Sequence, residues 1–387
     1  MFTGIAENGQ AVSYTDHKRY WYLSAYITPA LYYFSFWAYF ALGHNPLIIL
    51  LPGLYIFIIT PLIDLALGED KHNPPEAVMG GMMKDNFYRF LIYPFILNAY
   101  ILFAVIVWFV ATQSLPIWAY LALLISAGIS SGGILTLTHE LGHKTNRLDR
   151  LMAKIGNSLI GYGHFCIEHN RGHHVMVSTP EDPASARMGE SIYRFAGREI
   201  SGTFVRGWHH ETQRLKKKGH GFWHWRNDVL QSYSLTLAIM ALCVALFGPL
   251  ILLFIIPNHM LGWYALTQAN YIEHYGLLRQ KLPNGKYERT QPRHSWNTNH
   301  LFSNMQLFHL QRHSDHHANP LRPYQVLRDF PELPSLPVGY IGCYSLAAIP
   351  PLWYKIMDKK VMGWAGGDLS KVNVDPKSLA RLTHKYG

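Results

Sequence analysis

Residues 115–144 read LPIWAYLALLISAGISSGGILTLTHELGHK, an uncharged apolar run that passes without a break into a histidine motif. The stretch Leu115–Leu137 is long enough to cross a hydrocarbon layer, which takes about 20 helical residues. In a helix, residues four apart lie on one face, so His139 and His143 project to the same side. The sequence therefore predicts a membrane helix that carries two converging imidazoles at one end.

Five other stretches have a similar length and composition: Trp21–Leu42, Pro46–Leu67, Phe90–Thr112, Val229–Phe247 and Leu250–Ala269. Only 15% of the 387 residues are charged, whereas a soluble globular chain averages about 25%. We therefore predict an all-α integral membrane protein with six transmembrane helices, joined in pairs by short links, and a histidine-rich cytoplasmic domain. A seventh apolar stretch, Leu336–Trp353, contains three prolines. It is expected to pack on the cytoplasmic domain or to lie at the membrane interface.

The positions of lysine and arginine indicate how the chain crosses the membrane. All 34 of these residues lie outside the six stretches and outside the short links. Because cytoplasmic segments are enriched in Lys and Arg, both termini are expected to be cytoplasmic. The predicted order is a cytoplasmic tail (1–20), helices one to four (21–137), a cytoplasmic segment (138–228), helices five and six (229–270) and a cytoplasmic segment (271–387). The net charge of +10 follows from this topology and requires no nucleic acid.

Nine histidines fall in four short clusters at or beyond the predicted cytoplasmic ends of these helices. The clusters read HELGHK (139–144), EHNRGHH (168–174), NYIEHYG (270–276) and LQRHSDHH (310–317). Their histidines are His139, His143, His169, His173, His174, His274, His313, His316 and His317. One zinc ion takes about four ligands, so nine imidazoles indicate at least two metal ions. Two six-coordinate ions would leave about three positions open for oxygen, water or substrate.

These motifs resemble the signatures of the bacterial membrane alkane monooxygenases, which belong to the membrane desaturase and hydroxylase superfamily. The resemblance covers residues of about 15 to 355 and includes Arg322-Pro323-Tyr324-Gln325 after the last cluster. It implies that the nine histidines bind two non-haem iron ions in a bacterial inner membrane. It also implies hydroxylation of the terminal methyl of medium- to long-chain n-alkanes to 1-alkanols. The oxidant would be O2, and rubredoxin, fed by a rubredoxin reductase, would supply electrons.

Four carboxylates stand beside these histidines, namely Glu140, Glu168, Glu273 and Asp315. A histidine that binds a metal usually donates its second N–H to a carboxylate or carbonyl, so each acid could orient a ligand. Each could instead form an ion pair with a nearby base such as Arg171 or Arg312. The sequence leaves both interpretations open.

The second predicted helix offers candidates for the wall of a substrate channel. Asp64 should point into the bundle, away from lipid, and Gly53, Phe57 and Thr60 fall near the same helical face. Phe57 is the bulky member of that face. The family resemblance implies that a bulky residue in this helix limits chain length, and Tyr55 could also hold that position. Ordinary helix packing is the alternative for either residue.

Three other functions remain to be compared with this one. The HExxH string at 139–143 also occurs in intramembrane zinc proteases, although seven further histidines would then be unexplained. A divalent-metal transporter would bind its ion near the membrane midplane, where His259 is the only histidine. A fatty acyl desaturase, or a hydroxylase of another apolar substrate, would use the same di-iron centre and differ only in its product.

The electrons for an oxygenase must come from outside this chain. The sequence contains no flavin or nicotinamide fingerprint, and its three cysteines form no CxxC pair. A separate donor is therefore expected to dock on the cytoplasmic face. The basic character of that face suits an acidic protein such as rubredoxin.

Overall fold

The computed structural model describes all residues from Met1 to Gly387. The α-helices are α1 (Ile27–Ala41), α2 (Leu51–Leu54), α3 (Thr60–Leu67), α4 (Glu76–Lys84), α5 (Asn86–Thr112), α6 (Ile117–Gly142), α7 (Arg147–Leu159), α8 (Phe165–Glu168), α9 (His174–Met176), α10 (Ile192–Lys216), α11 (Asp228–Phe247), α12 (Leu252–His274), α13 (Leu301–Gln306), α14 (His313–Ala318), α15 (Tyr340–Ala347), α16 (Pro350–Trp364) and α17 (Leu379–Tyr386). Two π-helical turns occur, at Tyr55–Ile59 and His169–His173. Short 3-10 segments are Trp21–Tyr26, Pro46–Leu50, Pro249–Ile251, Pro292–His294, Tyr324–Val326, Leu369–Lys371 and Pro376–Ser378.

The chain begins with a small antiparallel sheet, so the all-α prediction is wrong for the N-terminal tail. Strands β1 (Phe2–Ile5) and β2 (Ala11–Tyr14) pair with Phe2 opposite Tyr14. A turn with Gly9 at φ 81° joins them, a conformation that glycine adopts without steric cost. The hairpin packs on α4, whose Val78 and Met82 are buried in an apolar cluster.

Five helices are long and apolar enough to cross a membrane: Pro46–Leu67, Asn86–Thr112, Ile117–Gly142, Asp228–Phe247 and Pro249–His274. They coincide with five of the six predicted stretches. The remaining stretch, Trp21–Leu42, is divided into a 3-10 segment and the 15-residue helix α1. The α-helical part alone is shorter than the about 20 residues that a crossing requires. Length and composition therefore identify five helices of membrane length.

Capping residues explain where the membrane helices begin. The Asp85 side chain accepts a hydrogen bond from the Phe87 N–H at 2.8 Å and caps α5. Asn227 accepts from Val229 and Leu230 at 3.0 Å and caps α11. Each cap satisfies N–H groups that have no partner within the helix. The C-terminal ends of α6 and α12 extend beyond the apolar stretches because the histidine motifs that follow are themselves helical.

Small residues allow α6 and α12 to pack closely along much of their length. A methyl group at Gly132 would lie 2.6 Å from the Ala265 Cβ and 2.8 Å from the Gly262 carbonyl oxygen. One at Gly128 would lie 2.5 Å from the Leu261 Cβ. Small residues of this kind bring membrane helices into backbone contact. As a result, the two histidine-bearing ends meet at one site.

The C-terminal helices form an apolar core against the end of α12. Phe195, Tyr271, Tyr340 and Trp353 are fully buried together in this core. The stretch Leu336–Trp353 therefore contributes α15 and the start of α16 to a packed domain. This confirms the expected packing of that stretch and agrees with its absence from the membrane-length helices.

A buried carboxyl group connects α10 to α12. The Glu199 side chain is 1% exposed and accepts hydrogen bonds from the Thr267 hydroxyl at 2.6 Å and the Asn270 amide at 3.1 Å. Burial raises the pKa of Glu199 from its ordinary value of 4.5 to about 7. The folded protein therefore binds this proton more tightly than the unfolded chain does.

The free energy of unfolding should fall as the pH rises from about 4.5 to about 7, because ionised Glu199 is disfavoured only in the folded state. We predict that Glu199→Gln reduces this dependence, so that the melting temperature changes less between pH 5 and pH 8 than in the parent. Exposed Glu332→Gln is the control and should keep the parent's profile. Equal pH profiles for Glu199→Gln and the parent would contradict the assignment.

Candidate metal centre

The nine histidines of the four sequence clusters come together in two adjacent groups. The first group contains His139, His143, His169, His174 and His316, and the second contains His173, His274, His313 and His317. Within each group, one possible ligand atom from every residue lies within 4.8 Å of the others. The groups adjoin, since the ring centroids of His174 and His317 are 4.4 Å apart. Geometry therefore permits two neighbouring metal ions, one in each group.

A π-helical turn directs the histidines of the EHNRGHH cluster into different groups. In a regular α-helix, His169 and His173 would share a face. The turn His169–His173 instead follows the i→i+5 pattern of a π-helix, which occurs frequently at functional sites. This brings the Nε2 atoms of His169 and His174 to 3.0 Å from each other, while His173 turns to the other group.

Helix α14 divides its three histidines by ordinary α-helical spacing. His313 and His317 are four residues apart, and their Nε2 atoms lie 2.9 Å from each other in the second group. His316 points away from that pair, and its Nε2 atom lies 3.1 Å from that of His174 in the first group. The single helix therefore contributes to both groups.

The ring nitrogens of both groups suit metal ligation. The Nε2 atoms of His139, His143, His173 and His274 are buried and have no hydrogen-bond partner in the protein. Burial also lowers the pKa of His316 well below its usual range, as it does for the other histidines of the first group that lie outside the membrane helices. These four rings are therefore neutral, which is the form that binds a metal. A shared cation would satisfy lone pairs that face one another in this way.

Hydrogen bonds at the opposite ring nitrogen orient two of these histidines. The Nδ1 of His173 lies 2.8 Å from the carboxylate of Asp182, which is fully buried. Although burial opposes ionisation, His173 and Arg206 lower the pKa of Asp182 below its usual range. The Nδ1 of His274 lies 3.3 Å from the carbonyl oxygen of His294. Both contacts favour an Nδ1–H that donates and an Nε2 that faces the metal site.

Sequence reasoning did not find Asp182. It lies nine residues beyond His173, between Pro180 and Pro183, with no histidine beside it. The turn that returns it to the cluster is held by Ser185, whose hydroxyl donates to the Asp182 carboxylate at 2.7 Å. Helical or strand spacing in the sequence cannot predict a hydrogen-bond partner that reaches a histidine through an irregular turn.

Of the four candidate carboxylates, only Glu273 contacts a clustered histidine. Its Oε2 lies 3.2 Å from the His313 Nε2, and its Oε1 accepts a hydrogen bond from the Tyr340 hydroxyl at 2.8 Å. The other three form ion pairs, which is the alternative that the sequence left open. The pairs are Glu140 with Lys144 at 2.6 Å, Glu168 with Arg206, and Asp315 with Arg322 at 2.6 Å.

Several histidines near the clusters have structural hydrogen bonds instead. The His164 Nδ1 lies 2.8 Å from the Tyr233 hydroxyl, and the His309 Nδ1 lies 2.9 Å from the Tyr324 carbonyl oxygen. Neither residue belongs to the two groups. Their omission from the predicted ligands agrees with this arrangement.

A large cavity runs from the histidine groups into the membrane helices. The volume accessible inside it is about 220 Å³, and its wall is mostly apolar. The histidine end is lined by His139, His169, Glu273 and His313. The rest is lined mainly by α1, α5, α6 and α12, with further residues from the second membrane helix, α13 and α15. An apolar ligand inside the cavity would therefore have a direct path to the centre.

The second membrane helix contributes to this cavity through Phe57, whereas Tyr55 does not line it. The Tyr55 hydroxyl is hydrogen-bonded to the Gln306 amide at 2.5 Å, and Gln306 is part of the wall. Tyr55 thus supports the wall from behind. Asp64 of the same helix is 3% exposed, as predicted, and accepts a hydrogen bond from the backbone of α13.

This geometry disagrees with two of the alternative functions. In a zinc protease of the HExxH type, the glutamate activates water on one zinc ion, whereas Glu140 is paired with Lys144. The His139 and His143 rings also belong to a group of five. A transporter would place its ligands near the midplane, but these groups lie at the ends of α6 and α12.

Fold and site together define a membrane protein in which an apolar cavity leads to a histidine-rich, non-haem metal centre. Residues 114–334 match the sequence profile of the fatty acid desaturase family. The chain is 47% identical to the alkane 1-monooxygenase of Ectopseudomonas oleovorans, over 97% of this chain and 94% of the relative. It is 46% identical to that of Pseudomonas putida, over 97% and 93%, and 47% identical to alkane 1-monooxygenase 1 of Alcanivorax borkumensis, over 97% and 92%. The chain belongs to the membrane alkane monooxygenases, as its motifs predicted, and is an oxidoreductase.

His274 is the only member of the two groups supplied by α12, and its loss tests the second group. We predict that His274→Ala lowers the metal content and abolishes turnover, because the second group loses one of its four imidazoles and the ion bound there loses its coordination geometry. Helix content should not change. Exposed His209→Ala is the control. Elemental analysis and an activity assay check the result, and full metal content with normal turnover in His274→Ala would contradict it.

Proposed function

We propose that this enzyme hydroxylates the terminal methyl of medium- to long-chain n-alkanes to 1-alkanols, using O2 and electrons from rubredoxin. The observation that carries the proposal is the apolar cavity that ends against His139, His169 and His313. An alkane has no polar group by which to be held, so only the shape of a dry, apolar space can orient it. The substrate class named for the 46–47% identical relatives supports the same assignment.

We infer that two iron ions occupy the centre, one bound by the group of five histidines and the other by the group of four. The buried Nε2 atoms without hydrogen-bond partners fit such ions, and nine ligands leave coordination positions open. When bound, the irons supply the activation of O2 and the attack on the C–H bond. Asp182 and the His294 carbonyl hold two of the rings in the ligating orientation.

The protein itself determines where the alkane is attacked. A terminal methyl C–H bond is stronger than that of an internal methylene. Intrinsic reactivity therefore favours attack on an internal carbon rather than on the terminal one. The apolar space between α5, α6 and α12 would hold an extended chain with its methyl group toward the histidines. The same helices exclude water from the reacting carbon, which prevents competing reactions.

We propose rubredoxin as the electron donor, supplied in turn by a rubredoxin reductase. The chain has no flavin or nicotinamide fingerprint and no CxxC pair, and its three cysteines are free. A net charge of +10 favours the approach of an acidic donor. The histidine groups lie at the helix ends next to the polar domain, where an external donor has the shortest path to them.

We further propose six crossings of a bacterial inner membrane, with both termini cytoplasmic. The first crossing would combine the segment Trp21–Tyr26 with α1, which together contain 21 residues. The absence of Lys and Arg from the short links, and their presence in the two tails and the long connecting segments, supports this orientation. The metal centre would then face the cytoplasm, the compartment of the reductase.

A membrane fatty acyl desaturase or hydroxylase is the second candidate, because the matched family profile is that of the desaturases. The two functions differ in their products. The desaturase would remove two hydrogens from an acyl chain and incorporate no oxygen, whereas the monooxygenase adds one oxygen atom to a hydrocarbon.

We predict that the iron-loaded enzyme, supplied with rubredoxin and its reductase under ¹⁸O2, converts octane and hexadecane to 1-alkanols that carry one ¹⁸O. A fatty acid tested in parallel should be a poor substrate, because a carboxylate is costly to bury in an apolar cavity. Mass spectrometry of the products decides the question. An alkene formed from the acyl chain, with no alcohol from either alkane, would favour the desaturase.

The position of Phe57 in the wall leads to a prediction about chain length. Phe57→Ser should raise hexadecane turnover relative to octane turnover several-fold, because the cavity gains space while the centre is unchanged. Tyr55→Ser should have a smaller effect, since Tyr55 acts through Gln306. Lipid-facing Ile58→Ser, whose parent side chain is 52% exposed, is the control. An unchanged length profile in both Phe57→Ser and Tyr55→Ser would show that this helix does not limit the channel.

A further inference from the structure

An asparagine side chain in α12 faces the cavity without a protein partner. Asn258 is 3% exposed, its Oδ1 is buried without a hydrogen bond, and the residue lines the cavity. An unpaired amide is costly inside a membrane bundle, and polar residues at this depth usually serve a function. The cavity wall therefore contains one hydrogen-bonding group that an alkane does not use.

A second asparagine provides a complementary group on another wall. Asn98 of α5 also lines the cavity, and its Oδ1 accepts a hydrogen bond from the Tyr33 hydroxyl at 3.0 Å. Its Nδ2 is buried without a partner. The cavity thus contains an unused donor, an unused acceptor and no Lys or Arg in its lining. A neutral hydroxyl both donates and accepts, whereas a carboxylate would be buried without a counterion.

The depth of Asn258 sets the length of a ligand that would reach it. A methyl group at Gly128 of α6 would lie 3.2 Å from the Asn258 carbonyl oxygen, so these two residues are at one level. Gly128 precedes His139 by eleven residues, or about 16 Å of helix. An extended alkyl chain advances about 1.3 Å per carbon. About 12 carbons therefore span the distance from the histidines to Asn258.

We propose that the cavity also binds long-chain 1-alkanols, with the hydroxyl at Asn258 and the methyl at the histidine groups, and that the enzyme converts them to α,ω-diols. This inference rests on the proposed function. One methyl C–H bond breaks and one C–O bond forms. One atom of O2 enters the new hydroxyl, and the other leaves as water with two protons and the two electrons from the rubredoxin donor. The alcohol formed from an alkane would thus be a second substrate after it re-enters in the opposite direction.

The test compares dodecane and 1-dodecanol as separate substrates of the iron-loaded enzyme with its electron donors. The parent should convert 1-dodecanol to 1,12-dodecanediol. Asn258→Leu, similar in size but apolar, should lower the ratio of diol formation to dodecane hydroxylation at least tenfold while keeping dodecane turnover. Lipid-facing Met260→Leu, whose parent side chain is 55% exposed, is the control on the same helix and should keep the parent ratio. Eight carbons are too few to span the cavity, so 1-octanol should give little diol even though octane is oxidised.

Asn258→Ala also removes the acceptor and should lower the same ratio, so it provides the test if Asn258→Leu does not accumulate. Ligand-induced stabilisation gives a readout that does not depend on turnover. 1-Dodecanol should raise the melting temperature of the parent more than that of Asn258→Leu, whereas dodecane should raise both equally. Dodecane turnover without diol, or a parent-like diol ratio in the asparagine variants, would overturn the inference and leave the proposed function intact. Failure of the parent to oxidise either compound would overturn both.

Discussion

Nine imidazoles face one another in the interior of this protein, and their buried, unpartnered nitrogen atoms are arranged to bind cations. Four of the Nε2 atoms have no protein hydrogen-bond partner, and others approach one another to about 3 Å. Such an arrangement is unfavourable without a shared positive charge. The rest of the structure can be understood as the means by which a membrane chain brings these rings together and connects them to an apolar space.

Three features of the backbone meet this requirement. Small residues let α6 and α12 pack closely enough for their terminal histidines to converge. The π-helical turn at His169–His173 then changes the helical phase, so that neighbouring histidines serve different groups. Finally, the loop that carries Asp182 returns to fix the His173 ring. The cavity lies between the same membrane helices, so substrate access and metal binding depend on one packing arrangement.

Much of this arrangement could be predicted from the sequence. Apolar length located five membrane helices, with differences of a few residues where the histidine motifs extend them. Motif similarity also identified the nine histidines that the structure brings together. Division into groups of five and four could not be predicted, because it depends on the π-helical phase of one turn. Trp21–Leu42 was predicted as a single helix because hydropathy does not distinguish a 3-10 segment from an α-helix. The hairpin β1–β2 and the contact of Asp182 with His173 depend on tertiary packing that sequence spacing does not encode.

The metal content of the purified protein tests the central claim most directly. Elemental analysis combined with Mössbauer spectroscopy of ⁵⁷Fe-labelled protein would measure both the number and the identity of the bound ions. We expect two iron ions per chain, each with nitrogen-rich, high-spin ferrous parameters after reduction, and no stoichiometric zinc. A single ion per chain, or zinc in place of iron, would contradict the assignment of the two histidine groups to a di-iron centre.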